Sequence, residues 1–207
     1  MSSARVTILT VGHSNHTLEE FLALLQQHGV TALADVRSAP YSRFAPQFNR
    51  DTLERSLSAI GIRYVYLGRE LGARSDDPAC YENGRVQYER LAQTDAFHRG
   101  IERIVRGASE YRIALMCAEK DPLNCHRCIL VARALDGIGV EVQHILPEGH
   151  LEPHHSAMER LLQVVGLPHE DLFRSTEELI QLALARQEER IAYVDEEPPQ
   201  DADQERR

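Results

Sequence analysis

The sequence lacks any hydrophobic run that approaches the roughly 20 residues a membrane-spanning helix requires. Its amino-terminal stretch does not combine a basic leader with a long apolar segment, so we expect no signal peptide. Four cysteines in 207 residues are too few for a disulfide framework, which favours a reducing, cytoplasmic location. Together these absences predict a protein without membrane attachment.

Positive charge is also scarce. The chain carries 23 Lys and Arg against 32 Asp and Glu, a formal net charge of −9. This balance argues against a protein that coats nucleic acid, although a local basic patch could still contact it. Residues 194–207 hold six acids, two Arg and almost no core-forming side chain. We therefore expect them to form a disordered acidic tail.

Strand-like and helix-like segments alternate along the rest of the chain. The β-rich runs cover residues 6–11, 30–36, 62–67, 111–116 and 140–146. Between them lie helical patterns, the first opened by a capping box of Thr17 and Glu20 and the second capped by Asp51. A third covers residues 86–106, with a break near Gln93, and a fourth covers residues 124–135.

This alternation predicts an α/β fold, with an open, mostly parallel five-stranded sheet and helices on both faces. Residues 5–150 would form the α/β domain. Residues 151–193 would form a helical extension, with helices over 156–165 and 175–192. The last helix has an apolar face that could pack on the domain or support a homodimer.

Ligands of open parallel sheets bind beyond the carboxyl ends of the strands. Nearly all unusual polar residues of the chain follow predicted strands, so they should meet at one edge of the sheet. The candidates after the first, second and fourth strands are Gly12, His13, Ser14, Asp35, Arg37, Ser38, Tyr41, Ser42, Arg43, Cys117, Glu119, Cys125, His126 and Arg127.

Several of these residues allow two interpretations. The Gly12–Ser14 turn could hold an anion through backbone N–H groups, or Ser14 could simply cap the next helix. Asp35 and Arg37 could form a buried ion pair that fixes the loop, or Arg37 could bind an anion while Asp35 orients it. The loop with Tyr41, Ser42 and Arg43 could contact phosphate and stack on a planar ring, or be an ordinary loop pinned by its aromatic side chains.

The segment around Cys125 allows three interpretations. A thiolate nucleophile, Cys125 or Cys117, would have its pKa lowered by the helix N-terminus, Arg127 and His126. Alternatively, the Cys125-x-x-Cys128 pair with Cys117 and His126 or His13 would bind zinc or an iron–sulfur cluster. In the third interpretation Cys117 only packs in the core, and Arg127 binds the anion. Glu119 and His13 are candidate acid–base groups, and Glu119 could instead orient Arg127.

Four motifs occur in order: Gly12-His13-Ser14, the D-V-R-S-x-P-x-S of residues 35–42, the glycine-bounded stretch 61–72, and Cys117-Ala118-Glu119 with Cys125-His126-Arg127. With these motifs the chain resembles the DUF488 family of uncharacterised α/β proteins, over residues 7–150. The resemblance implies candidate positions at the sheet edge and no particular reaction, although some relatives carry DNA-repair labels.

We therefore expect an enzyme that binds an anionic, phosphate-bearing and nucleotide-like substrate, with no cofactor assigned. The alternatives are a non-catalytic nucleotide- or nucleic-acid-binding module and a metal-binding protein that uses the cysteine cluster.

Overall fold

The structure is a computed structural model that describes residues 6–195. Within that range eight strands follow one another along the chain: β1 (Thr7–Gly12), β2 (Ala32–Asp35), β3 (Arg63–Tyr66), β4 (Tyr81–Glu82), β5 (Arg85–Val86), β6 (Ile113–Cys117), β7 (Glu141–Ile145) and β8 (Leu151–Pro153). Six of them form one sheet in the order β3-β2-β6-β1-β7-β8, and β4 pairs with β5 in a separate hairpin.

The five predicted strands are all present and pair in parallel, which confirms the predicted α/β sheet. The sixth strand, β8, was not predicted and runs antiparallel to β7. Gly149 makes this reversal possible, because its φ of +85° lies in the left-handed region that glycine enters without strain. Residues 151–153 therefore belong to the sheet and not to the helical extension expected from residue 151.

The helices within the described range are α1 (Leu18–Gln27), α2 (Arg50–Ala59), α3 (Gly68–Leu71), α4 (Tyr88–Ala92), α5 (Asp95–Gly107), α6 (Arg133–Gly137), α7 (His154–Val164) and α8 (Thr176–Ile191). Thr17 and Glu20 form the predicted capping box of α1. The predicted break near Gln93 separates α4 from α5.

Three helix starts differ from the prediction. Asn49, not Asp51, precedes the first residue of α2, and it makes no side-chain capping bond. The helix expected from residue 86 begins at Tyr88, because Arg85 and Val86 pair in the hairpin. The helix expected over 124–135 begins as a buried π-helical turn, Arg127–Ala132, before α6. Such turns are often found at functional sites.

Alternate residues of the strands face opposite sides of the sheet, and each side has its own core. Leu9, Val11 and Met116 pack with α1 and α2, whereas Ile8 and Leu115 pack with the remaining helices. The prediction of helices on both faces is therefore confirmed. None of the helices within residues 6–195 combines the length and apolar character needed to cross a bilayer.

The C-terminal helix α8 packs against α7 and the helical turn at Pro122–Asn124. Its Gln187 is buried and donates hydrogen bonds to the Leu123 carbonyl and to Oδ1 of Asn124. Beyond it, Val194 bridges to Arg85, and the Asp195 amide donates to the Gly84 carbonyl. The first two residues of the predicted tail are thus tied to the hairpin, and residues 196–207 lie outside the described range.

Candidate functional site

The carboxyl ends of β1, β2 and β6 lie side by side. The register pairs Gly12 with Cys117 and Asp35 with Met116. From β1 the chain moves to β2, toward one edge of the sheet. From β6 it moves to β7, toward the opposite edge. A ligand-binding crevice is expected at such a reversal of strand order. The structure therefore brings together the residues that follow the first, second and fourth predicted strands.

The turn after β1 uses its backbone donors within the fold. The His13 amide donates to the Cys117 carbonyl at 2.9 Å, and the Ser14 amide donates to the Ala118 carbonyl at 2.8 Å. Ser14 adopts a left-handed φ of 49°, and its hydroxyl contacts Oδ1 of Asn15. Since Thr17 caps α1, Ser14 neither caps that helix nor offers its own amide to an anion.

Asp35 and Arg37 form a buried bidentate ion pair. Nε and Nη2 of Arg37 lie 2.9 and 2.7 Å from the Asp35 carboxylate, and the Tyr64 hydroxyl donates to the same carboxylate at 2.8 Å. Nη2 of Arg37 also donates to the Phe48 carbonyl. Most donors of Arg37 are thus engaged within the fold. This is the geometry expected of a buried ion pair that fixes the loop.

His13 lies behind this ion pair and stacks on the Phe48 ring with a centroid separation of 4.3 Å. Its Nδ1 is 3.0 Å from the Ser14 carbonyl, and its Nε2 is 3.3 Å from Nη1 of Arg37. The contacts fit a neutral ring in which Nδ1 donates and Nε2 accepts. Burial lowers the pKa of His13 to about 4, so the ring is uncharged at neutral pH.

Two thiols and an imidazole lie together beyond β6. Nδ1 of His126 is 3.8 Å from the sulfur of Cys117 and 3.8 Å from that of Cys125. Nε2 of His126 donates to the Val36 carbonyl at 3.0 Å, which fixes the ring. Oε2 of Glu119 lies 3.3 Å from the Cys117 sulfur. This arrangement joins four of the predicted residues in one group.

The two thiols of this group are electrostatically different. Burial alone would raise the pKa of Cys125, but the hydrogen bond with Cys117 and the charges of Arg127 and His126 hold it well below the usual thiol range. The hydrogen bond with Cys125 and burial raise the pKa of Cys117 well above that range. Burial and the neighbouring Cys125 also raise the pKa of Glu119. These shifts favour ionisation of Cys125 over that of Cys117.

Arg127 lies beneath the loop that carries these residues, and its side chain is completely buried. Its guanidinium donates to the carbonyls of Glu119 and Lys120 at 2.8 and 3.3 Å, and its amide donates to the Cys125 sulfur. Nε of Arg127 has no partner among the described residues. Arg127 therefore positions the loop from below and does not line the crevice above it.

A cavity of about 260 Å³ opens above this group. Cys117, Glu119, Cys125 and His126 line one side, and Arg37, Ser38 and Arg74 lie among the remaining lining residues. Tyr88 and Tyr193 also line the cavity, and the Arg74 guanidinium lies 4.2 Å from the centroid of the Tyr193 ring.

Sequence reasoning missed Arg74, Tyr88 and Tyr193. Arg74 follows the glycine-bounded stretch 61–72, which was a local signal for it, but nothing near the two tyrosines in sequence connects them with β6.

The loop with Tyr41, Ser42 and Arg43 is not part of the lining of this cavity. The Ser42 amide donates to Oδ1 of Asn49, and the Tyr41 hydroxyl contacts Asp51. Arg43 lies over the ring of Phe44, which is 94% exposed. Tyr41 and Arg43 are exposed, Ser42 is half-buried within the loop, and none of the three lines the cavity beside the thiols.

The predicted metal site that combines Cys125 with Cys128 is wrong, because the two cysteines lie in different groups. Cys117, Cys125 and His126 form one compact group, whereas Cys128 belongs to a second group with His144 and His154. The π-helical turn begins between the two cysteines, and their sulfurs are directed to different groups. His13 belongs to neither group.

We predict that Gly12→Ala distorts the loop above Arg127. A β-carbon at Gly12 would overlap the Glu119 carbonyl and lie 3.1 Å from Nη2 of Arg127. We expect a loss of about 1–3 kcal/mol of unfolding free energy in chemical denaturation. The control is Gly137→Ala, where a β-carbon meets nothing within 4 Å and the change should be neutral or stabilising. Equal stability of the two variants would contradict the assigned role of Gly12.

We also predict that neutral, buried His13 makes the fold sensitive to acid. Arg37, Asp35 and Arg127 face its ring, and its folded pKa of about 4 lies below the usual histidine value of 6.5. The unfolded chain therefore binds the extra proton first, and stability falls as pH drops from 6.5 toward 4, by up to about 3 kcal/mol. His13→Gln should reduce this fall in denaturation curves recorded across that range. An unchanged pH dependence in the variant would show that other groups, such as His144, account for it.

Comparison with known proteins identifies the family of the chain. The family model described as "Domain of unknown function DUF488" matches residues 17–134, more than half of the chain. The matched range contains Asp35, Arg37, Cys117 and Cys125, and it begins after the Gly12–Ser14 turn. No curated protein and no solved structure matched the chain. The chain belongs to the DUF488 family.

Proposed function

We propose that the protein is a thiol-dependent enzyme that acts on a small anionic, phosphate-bearing substrate at the carboxyl ends of β1, β2 and β6. The observation that carries this proposal is the position of Cys125 in the wall of a cavity that arginine side chains also line. At about 260 Å³ the cavity suits a small ligand, or the phosphate end of a nucleotide, and not a whole drug-sized molecule.

Arg74 supplies the charge that recognises the anion. Arg37 also lines the cavity, but Asp35 neutralises it and engages its donors. Among the described residues, the Arg74 guanidinium forms no ion pair, and it rests on the face of the Tyr193 ring. An arginine held in this way can turn toward an incoming phosphate and bind it through two parallel hydrogen bonds.

Cys125 is the nucleophile. Its sulfur forms a bond to the electrophilic atom of the substrate while the bond from that atom to the leaving group breaks. The leaving group departs with the electron pair and takes a proton from Glu119, whose raised pKa suits an acid. Water or a second protic acceptor then attacks the thio-linked intermediate and gives its proton to the Glu119 carboxylate, and Cys125 leaves as the thiolate. A reducing cytoplasm keeps both thiols of the group available.

The test compares two alkylating agents of similar size. Iodoacetate is an anion and iodoacetamide is neutral, and in both cases the thiolate displaces iodide as the new carbon–sulfur bond forms. We expect iodoacetate to modify Cys125 faster than Cys117 or Cys128, measured by peptide mass spectrometry. In Arg74→Gln the ratio of iodoacetate to iodoacetamide rates at Cys125 should fall about tenfold, the effect of one charge-assisted hydrogen bond.

The matched control is Arg55→Gln. Arg55 is an exposed arginine on α2 that does not line the cavity, so the ratio should not change. A ratio unaffected by Arg74→Gln, or equal alkylation of all three cysteines, would contradict the proposal.

A second candidate function is contact with single-stranded nucleic acid by the loop of residues 41–44. Phe44 is almost fully exposed and Arg43 lies over its ring, an arrangement suited to stacking on a base. Fluorescence anisotropy with a labelled oligonucleotide should then show binding that weakens steeply with salt, and Phe44→Ala should lower the affinity about tenfold. The control is Leu172→Ala, an equally exposed side chain elsewhere. Absence of binding at low salt would exclude this function.

A further inference from the structure

A second group of metal-binding side chains lies inside the protein, and the proposed reaction does not use it. Cys128 on the π-helical turn, His144 on β7 and His154 at the start of α7 bring one sulfur and two ring nitrogens together. Cys128 and His144 are completely buried, and His154 is 4% exposed. We call this set the Cys128 cluster.

The distances within the Cys128 cluster match those of a metal site. Nε2 of His144 is 3.1 Å from Nδ1 of His154, and the Cys128 sulfur is 3.6 and 3.9 Å from these nitrogens. A zinc ion with tetrahedral bonds of about 2.0–2.1 Å to nitrogen and about 2.3 Å to sulfur separates its ligand atoms by roughly 3.3–3.6 Å. The three donor atoms thus lie close to three corners of one tetrahedron.

A further contact orients one of the rings. Thr10 is paired with His144 across β1 and β7, and its hydroxyl lies 2.8 Å from Nδ1 of His144. With Nδ1 donating to Thr10, Nε2 keeps its lone pair toward the cluster. Metal-bound histidines commonly have such a partner on the second ring nitrogen.

The surrounding charges can accommodate an ion. A divalent metal that displaces the Cys128 proton adds a net charge of about +1 to this interior. Asp121, Asp136 and Glu152 are electrostatic neighbours of the cluster, and Arg160 bridges Asp121 and Glu152 at its edge. Arg127 and Arg160 are the opposing positive charges, and Arg127 lies beside the Cys125 thiol on the other side of the turn.

We propose that Cys128, His144 and His154 bind one thiophilic divalent ion of the zinc type. Three protein ligands leave the fourth tetrahedral position to a non-protein ligand. The ion would tie α7 and the π-helical turn to β7. It would thereby hold Arg127, and the loop above it, in place from the side opposite to the cavity.

The test uses the full chain, stripped of metal under reducing conditions and titrated with Co²⁺ alone and then with Zn²⁺ alone. We expect about one tightly bound ion per chain, a tetrahedral cobalt spectrum and a charge-transfer band with the intensity of a single thiolate. The Cys117→Ser/Cys125→Ser variant lacks the two thiols beside the cavity and should keep the metal site of the Cys128 cluster. Cys128→Ser should lose the band, and His154→Gln should lose tight binding.

Thr10 variants test the orienting contact. Thr10→Val should lower the metal affinity about 10- to 100-fold, and Thr10→Ser, which keeps the hydroxyl, should restore it. Circular dichroism checks the fold of every variant. If Cys128→Ser does not fold, the band of the wild-type chain and its persistence in the Cys117→Ser/Cys125→Ser variant still decide the question.

Two results would overturn the proposal. One is the absence of bound cobalt or zinc in the reduced wild-type chain. The other is binding that the Cys117→Ser/Cys125→Ser variant abolishes and Cys128→Ser preserves, since the ion would then belong to the first group.

Discussion

The burial of the Arg127 guanidinium is the constraint on which the site depends. A charge without access to water costs several kcal/mol unless hydrogen bonds and an opposite charge offset it. Two loop carbonyls accept hydrogen bonds from it, and Cys125 lies next to it as the group most easily made anionic. The missing side chain at Gly12 lets Glu119 and Arg127 approach β1. The same charge thus fixes the loop and favours the thiolate.

The ion pair of Asp35 and Arg37 follows a related principle on the neighbouring strand. Each group neutralises the other in the interior. Nη1 of Arg37 also contacts Nε2 of His13 and so helps to orient that ring. A guanidinium bound in this way has little capacity left for a ligand. In the proposed reaction the anion is therefore recognised by Arg74, which is exposed. The buried charges of Asp35, Arg37 and Arg127 stabilise the site, and the exposed charge of Arg74 lines the cavity.

The π-helical turn explains how two cysteines three residues apart have different surroundings. Cys125 precedes the turn and stays with Cys117 and His126 beneath the cavity. Cys128 lies within the turn and reaches β7 and α7, where imidazoles surround it. Arg127 stands between them in the chain. An ion in the Cys128 cluster would therefore affect the Cys125 thiol through the backbone of the turn and through the charge of Arg127, which lies near both cysteines.

Local sequence signals were enough to predict the five parallel strands, the main helices and the sheet edge that carries the site, but not β8, the β4–β5 hairpin or α3. Periodic apolar residues and helix caps are local signals, and the carboxyl ends of parallel strands necessarily share an edge, so Asp35, Cys117 and Cys125 could be placed together. The partner of each side chain, in contrast, depends on how the elements pack in three dimensions. Tyr88 begins α4 and Tyr193 follows the end of α8, yet both line the cavity. His144 and His154 reach Cys128 through a strand pairing that depends on the turn at Gly149. Such contacts join residues far apart in sequence, and their geometry depends on how whole elements pack, which no local pattern encodes.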